Sequence, residues 1–574
     1  MTHTTPAELT ATTTPELDAR RWLALAVVVA ASFMAVFDQF VVNVAIPTMQ
    51  RDLHASFAQI QLVIAGYALA YAVTLITGGR LGDIYGRKRL FMLGMAGFTL
   101  ASALCGLAPG PELLVGARLV QGFGAALMSP QVLSIIQVTF PPDERSNALS
   151  VYGAVIGIAS LAGQALGGFL IRANLFGLGW RVVFLVNIPI GIAALIAAKP
   201  LVRETHSPTA RHLDLGGVAI ITGALFLLTF PMVEGRDAGW PLWAWVCLAA
   251  SVPALVGFVL FERRKTARDD APLVVLSLFR ERAFSAGLFV GFLFGAANPA
   301  MFFTLALYLQ IGLHYSPLAA GLTFAPAPIG FFIAATLSGK LVRRLGGRLV
   351  MFALIQKATA WAIIGVIVHR NGVTLHGVQL LPFMLLEGAA AGWTNPPLIG
   401  LSLAGIPNRH AGSAAGVLTT VQQIAGAIGV AMIGVVFFGV LSQHAPTVSA
   451  AIAPTLQQQL PAASASATIA DFRACADDRA RSRDPAIAPP RCQTPTLQPA
   501  NASATGAIAD ALQRANARNY ADAYVTAMFV NVGALLLAFV CALALPRANT
   551  PITRAKPDRF PPPLTLDLVS PDEG

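Results

Sequence analysis

The sequence predicts an all-α membrane protein of 14 transmembrane helices, arranged 6 + 2 + 6 as two pseudo-symmetric bundles around a two-helix insert, each span roughly twenty residues long. Three observations carry that prediction. Hydrophobic residues make up 55% of the 574, charged residues only 12%, and mean hydropathy is +0.66, where a soluble domain carries about 25% charged residues. Apolar runs recur from Trp22 almost to Pro546, so lipid is the solvent for most of the chain. Finally, the stretch "GRLGDIYGRK" (Gly79 to Lys88) has an echo in "GKLVRRLGGR" (Gly339 to Arg348), each reading Gly, basic, Leu and then Gly five positions on. Either short basic loops resemble one another by composition, or the chain repeats a six-helix unit, which places a pathway between two halves.

The elements follow in order. Residues 1–21 form a polar, Thr-rich tail ending in Arg20 and Arg21; no small-residue cleavage site follows, so the first apolar run reads as a retained helix. The first bundle, 22–200, holds helices at roughly 22–47, 57–79, 90–108, 112–137, 145–171 and 181–200. The insert, 201–282, holds two at roughly 214–233 and 241–261. The second bundle, 283–546, holds six at roughly 283–309, 317–339, 348–368, 377–404, 411–441 and 523–546, and 547–574 form a second tail.

Net charge is +11, yet the basic residues sit in short clusters between apolar runs, so they read as topology determinants and not as a nucleic-acid surface. Arg80, Arg87, Lys88 and Arg89 follow the second helix; Arg263, Arg264, Lys265, Arg268, Arg280 and Arg282 follow the eighth; Lys340, Arg343, Arg344 and Arg348 follow the tenth. The short loops on the opposite side hold little beyond Arg51, Arg172, Arg236 and Arg370, so the basic side is expected to be cytoplasmic, with both termini inside.

One long hydrophilic stretch, 442–521, falls on the outer side by the same parity. Rich in Ala, Pro, Gln and Ser, it reads as a weakly ordered excursion with a short helix near its end. Cys475 and Cys492 lie there in an oxidising compartment, either as a disulfide or as two thiols; Cys105, Cys247 and Cys541 are intramembrane. The sequon at Asn501 to Ser503 is a chance-level match.

Several stretches share a pattern. "FDQFVVNVAIP" (Phe37 to Pro47), "GRLGDIYGRKRL" after the second helix, and "LLVGARLVQGFGAA" (Leu113 to Ala126) occur in that order at the first, second and fourth helices. "WRVVFLVNIPIG" (Trp180 to Gly191) and "AGSAAGVLTTVQQIAGAIGVA" (Ala411 to Ala431) join them. Together they resemble the fourteen-helix drug:proton antiporters of the major facilitator superfamily, over nearly the whole membrane region. Phe40 stands where that family usually has Thr. In "GQALGG", Gly163, Gly167 and Gly168 match the family's fifth-helix antiporter motif, but Gln164 replaces its Pro.

A carboxylate at mid-membrane costs about 2.5 to 3.5 kcal/mol on insertion scales, so it faces a cavity or a partner. Asp38 has two readings: a group that takes up a proton on one side and releases it on the other, as the resemblance implies, or a structural partner for Asn43 or Gln39. Arg118, the only basic residue in its helix, is a fixed cation that resembles the family's coupling arginine or clamps backbone carbonyls. Lys357 and Glu387 lie near the middles of adjacent helices, as a static ion pair or with Glu387 passing a proton. Gly79, Gly82, Asp83, Gly86 and Arg87 suit a cytoplasmic gate, because a carboxylate can cap a helix N-terminus and arginine can bind an acid across the interface. Glycines at small-xxx-small spacing, including Gly153 with Gly157 and Gly412 with Gly416, suit sliding helix contacts, and Pro130, Pro299, Pro326 and Pro396 suit kinks. Tyr67, Gln131, Asn298 and Phe302 are candidate cavity residues, polar or aromatic at mid-helix.

No HExxH, Gly-x-Ser-x-Gly elbow, phosphate-binding loop or metal-spaced His/Cys cluster occurs, which argues against an enzyme and against a nucleotide-driven pump. The expectation is a secondary transporter in a bacterial inner membrane, exporting small amphipathic molecules by rocking its halves. It draws on the proton gradient with no cofactor or metal, works as a monomer, and has a periplasmic adaptor as a candidate partner. A metabolite importer or uniporter of the same fold is the alternative that Gln164 favours.

Overall fold

The computed structural model describes residues 20–546 apart from 56, 208–212, 236–238, 270–271, 408–409, 463, 482–488 and 499–501. Most of both tails, Arg236, Asn501 and the side chains of Asn43, Arg51 and Gln164 lie outside the described residues. The helices are α1 (Arg21–Asp52), α2 (Phe57–Tyr85), α3 (Arg87–Gly106), α4 (Pro111–Thr139), α5 (Pro142–Ala173), α6 (Val182–Leu185) and α7 (Asn187–Leu201) in the first half. The insert is α8 (Leu215–Glu234) and α9 (Leu242–Asp269). The second half holds α10 (Arg282–Leu307), α11 (Pro317–Phe324), α12 (Pro326–Leu345), α13 (Gly347–Asn371), α14 (Leu381–Leu403), α15 (Ala411–Gln457), α16 (Ala465–Arg481) and α17 (Ala502–Ala542). No strand occurs among the described residues.

Twelve helical spans among the described residues are long and apolar enough to cross a membrane, against the fourteen expected. Of the other two, α14 is 23 residues long but carries Glu387, Asn395 and the pair Pro396 and Pro397, which lower its apolarity. The 32-residue α5 includes Leu161, Gln164 and Ala165, whose side chains are outside the described residues.

Within the first half α2 and α3 pack on α4, and α1 packs on α5 and α7; within the second, α14 packs on α12 and α13, and α10 on α15 and α17. The insert is a hairpin whose α8 leans on α2 and α15. The halves meet where α5 crosses α12 and α14, and where α2 and α4 meet α15. These meetings lie at the end of the bundle that carries the basic loops. One apolar cluster there draws from both halves, from Leu25 and Phe91 to Phe284 and Leu418. Toward the opposite end the cluster around Val41, Leu114 and Trp180 belongs to the first half alone, and the one around Trp361, Phe437 and Tyr524 to the second. The bundles are therefore joined at the basic end and packed separately at the other.

Residues 442–521 correct the expectation of a weakly ordered excursion. α15 runs on to Gln457, α16 occupies Ala465–Arg481, and α17 begins at Ala502, well before the expected start near 523. Alanine, the strongest helix former, lets these segments wind, and each turns apolar residues inward: Leu456, Phe472, Leu497 and Ile508 share one small core. A disulfide between Cys475 and Cys492 staples it. Asn519 Nδ2 donates to Leu441 O (2.8 Å) and Asn516 Nδ2 to Ile311 O (2.7 Å), anchoring this cap to the bundle.

Candidate functional site

Two buried charge centres and one junction between halves organise the polar interior. In the first half Asp38 of α1 faces Arg118 of α4: Nη1 of Arg118 donates to Asp38 Oδ2 at 2.5 Å, and both side chains are shut off from solvent. Gln121, one turn beyond Arg118 on the same face of α4, accepts from Arg118 Nη1 (2.8 Å) and donates to Asp38 Oδ1 (3.0 Å). Arg118 Nε donates to Val63 O of α2 (3.0 Å). Ser102 of α3 and Asn187 of α7 continue the network, Gln121 Nε2 and Asn187 Nδ2 reaching Ser102 Oγ at 3.3 and 3.1 Å. An ion pair taken out of water survives only when its remaining donors and acceptors are satisfied, and this ring of amides and hydroxyls does that.

The sequence expectation for Asp38 named Asn43 or Gln39 as structural partners; among the described side chains Arg118 and Gln121 bond its carboxylate, and the side chain of Asn43 lies outside them. Gln121, Ser102 and Asn187 were not anticipated. Gln121 was findable in principle, because an amide three residues after a lone intramembrane arginine shares its helix face. Ser102 and Asn187 carry no sequence signal that separates them from packed polar residues.

Tyr67 lies under the guanidinium of Arg118, 4.3 Å from its ring centroid, and stacks on Tyr71 with centroids 6.0 Å apart. Tyr71 in turn lines a cavity of about 140 Å³ between the halves. Its first-half wall includes Gln39, Tyr71 and Tyr152, and its second-half wall Asn395, Gln422 and Gln423. The Arg118, Tyr67 and Tyr71 stack therefore joins the charge centre to the space between the bundles. Of the four candidate cavity residues, Tyr67 stands one ring behind the wall and the others line no part of it. Gln131 Nε2 donates to Gly78 O (2.7 Å), Phe302 packs edge-on against Phe324 (5.7 Å), and Asn298 belongs to the second centre.

In the second half Lys357 of α13 donates to Glu387 of α14 and, at 2.7 Å, to Asn298 Oδ1 of α10. Phe294 and Trp361 enclose the ammonium, their ring centroids 5.0 and 4.9 Å from Nζ. Both charges are fully buried.

At the basic end Asp83 closes the junction. Its Oδ1 and Oδ2 accept from the backbone N–H groups of Gly412 (3.2 Å) and Ser413 (3.0 Å), the first turn of α15 in the other half, and Arg87 Nη2 donates to Oδ1 at 2.7 Å. A carboxylate at a helix N-terminus meets both orphan donors and the positive end of the helix dipole. Gly79 permits this approach: a β-carbon there would stand 2.4 Å from Gly412 O. Gly86 turns at φ +108°, a conformation glycine adopts readily, and delivers α3 to Glu204, whose carboxylate accepts from the N–H groups of Lys88 and Arg89, both at 3.1 Å. Gly82 backs onto Gln131. On α5, Gly153 meets Pro396 of α14 across the interface, whereas Gly163 and Gly167 meet Phe37, Phe40 and Val41 of α1 in their own half. Ser150 and Ser338 hydroxyls pair across the halves at 3.0 Å.

Two helical bundles around a central polar cavity, with buried charges beside it, define a multi-pass membrane transporter. The chain belongs to the Major Facilitator Superfamily, whose family model matches residues 28–430. It is 40% identical to a probable actinorhodin transporter of Streptomyces coelicolor over 92% of both chains. It is 33% identical to a tetracenomycin C resistance and export protein of Streptomyces glaucescens, over 76% of this chain and 79% of that one. The fold also matches a proton:xylose symporter of the same superfamily at 15% identity, with a TM-score of 0.53 over 72% of this chain and 88% of that chain. The family and these relatives are transporters, not enzymes.

Proposed function

We propose that this protein is a proton-coupled antiporter that exports small amphipathic compounds across a bacterial cytoplasmic membrane by alternating access. The observation that carries the reading is the stack from Arg118 through Tyr67 and Tyr71 to the central cavity, which gives the Asp38 charge a neighbour that a substrate can touch. The names of its relatives, which speak of antibiotic export and resistance, support the direction.

The basic end is the cytoplasmic one, by the charge bias of its loops. With the halves joined there, this conformation is the one closed to the cytoplasm. A proton reaching Asp38 from outside neutralises the carboxylate and weakens its bond to Arg118, which keeps Val63 O and Gln121 Oε1 as acceptors. The guanidinium is then free to shift against Tyr67, and the shift is felt at Tyr71. Substrate entering from the cytoplasm favours the ionised pair and returns the proton inside. Membrane potential contributes about 2.3 kcal/mol per charge per 100 mV, enough for roughly fifty-fold accumulation by one proton.

Proteoliposomes carrying a pH dye test this. A substrate gradient should drive proton counterflow in the wild type and none in Asp38→Asn; equal proton movement in the two would defeat the proposal. Gln164, in place of the family's Pro, favours import or uniport as the second reading. In that case deleting the gene lowers, and does not raise, cellular accumulation of the compound.

A further inference from the structure

We propose that the molecule occupying the central cavity is uncharged and is recognised by hydrogen bonds: a flat aromatic compound bearing hydroxyl and carbonyl groups, and not a lipophilic cation. The inference rests on the pathway proposed above and deepens it by naming the substrate class.

Among the described residues that line the cavity there is no Asp, Glu, Lys, Arg or His. An ion entering would shed water without meeting a counter-charge, which is the most expensive transfer a protein interior can impose. Asp38 does not serve as one. It is shut off from solvent, lies behind the wall, and has its two oxygens engaged by Arg118 and Gln121 at 2.5 and 3.0 Å. Nor does Arg118 attract an anion, since Asp38 neutralises it and the Tyr67 ring covers it.

What the wall offers instead is four carboxamides, Gln39, Asn395, Gln422 and Gln423, two from α15 and one each from α1 and α14. Each presents a carbonyl acceptor and an NH₂ donor, so together they suit a ligand with alternating hydroxyl and carbonyl groups. The Asn395 carboxamide oxygen is buried and has no hydrogen-bond partner among the described residues, an acceptor that a ligand hydroxyl would satisfy. Tyr71 and Tyr152 supply aromatic surface on the facing side, and Ala35, Val36 and Ile399 fill the gaps with apolar surface. A site of this kind disfavours a molecule that leaves the buried Asn395 oxygen without a donor, as a quaternary cation does.

The consequence for energetics is direct. Exchange of a neutral substrate for one proton moves one net charge per cycle, so export responds to membrane potential as well as to the pH gradient.

Equilibrium binding to the purified full-length protein by isothermal titration calorimetry tests the inference with two probes: a dihydroxyanthraquinone at a pH where it is neutral, and tetraphenylphosphonium. The wild type should bind the neutral probe at least about tenfold more tightly. Gln423→Glu places a carboxylate in the wall and should move the preference toward the cation by about tenfold or more; Asn395→Asp is the nearly isosteric second variant should the first fail to fold. Wild-type binding of the cation as tight as that of the quinone, or binding of neither, overturns the inference, as does an unchanged preference in both variants. Quinone binding without proton counterflow removes the coupling proposed above and leaves this inference standing. Cation binding with counterflow does the reverse.

Discussion

Asp38 with Arg118 and Lys357 with Glu387 are buried ion pairs, one in each half, that have only the fourth helix in common and differ in what can reach them. In the first half the acid is on the first helix and the cation on the fourth; in the second an amide, Asn298, stands on the first helix, the cation on the third and the acid on the fourth. Burial does not separate them, since all four side chains are shut off from solvent. Surroundings do. Arg118 rests on a tyrosine whose neighbour lines the cavity, while Lys357 is closed in by Phe294 and Trp361 and reaches no wall. A buried ion pair is a switch only where something that moves can reach it; otherwise it is a pin.

The sharpest way to break that contrast is to remove one acid from each centre. Glu387→Gln leaves the Lys357 ammonium with Asn298 Oδ1 as an acceptor but with no counter-charge, and should cost about 3 to 5 kcal/mol of stability. Thermal unfolding in detergent reads this, and proton-coupled exchange per folded molecule should stay within about threefold of wild type. Replacing both Lys357 and Glu387 with Met should recover most of the stability, because isosteric apolar residues substitute well for a buried pair. If instead the double variant folds and exchange collapses, the second centre is a proton site and the contrast fails.

Asp38→Asn makes the complementary case. Exchange should fall by about a hundredfold or more, the scale of a lost proton-transfer group. Folding is expected to suffer less than in Glu387→Gln, since Arg118 keeps Val63 O and the Gln121 carbonyl as acceptors. Tyr71→Phe, which keeps the ring stack and removes the hydroxyl, should leave coupling intact; Tyr71→Ala, which breaks the stack, should uncouple substrate from proton movement.

How much of this the sequence disclosed follows from which signals are local. A lone Asp or Arg in an apolar run is conspicuous because lipid forbids it, so Asp38, Arg118, Lys357 and Glu387 all stood out. Asp83 with its glycines was likewise visible, down to a role at a helix N-terminus; that the helix is α15, some 330 residues away, is a tertiary fact. The cavity wall was not legible. Gln39, Asn395, Gln422 and Gln423 sit in helices where an amide is tolerated anywhere a neighbour can bond it, and only the packing of one half on the other says which four converge. The outer cap was misjudged for another reason: its Ala, Pro and Gln content resembles disorder, but alanine winds helices once a few apolar residues, Phe472 and Ile508 among them, find a common core.

The junction at the basic end offers a gentler probe of the contrast, because it joins the two halves that hold the centres. Asp83→Asn removes the charge from two backbone hydrogen bonds and from the bond to Arg87, each worth about 1.5 to 3 kcal/mol when charge-assisted and partly recovered by the amide. A net loss near 1.4 kcal/mol shifts the closed and open populations about tenfold. Pulsed electron resonance between spin labels at Arg89 and Arg344, exposed residues of opposite halves, should then show a longer distance gaining weight. An unchanged distribution means that Ser150 with Ser338, and Gln137 with Leu403 O, hold the junction without Asp83.

The smallest effect on exchange is expected from the cap. Its disulfide closes a loop of separation 17, for which chain entropy gives about 3 kcal/mol. That stabilisation belongs to the core of Leu456, Phe472, Leu497 and Ile508, which shares no residue with the apolar clusters around either charge centre. Cys475→Ser with Cys492→Ser should therefore increase amide exchange in α16 and at the start of α17 while leaving proton-coupled transport within about twofold. The cap nevertheless touches the second half through Asn519 and Asn516. If its loosening slows transport, the signal must pass through α15 and α17, and the half that holds the pin, not the half that holds the switch, sets the rate.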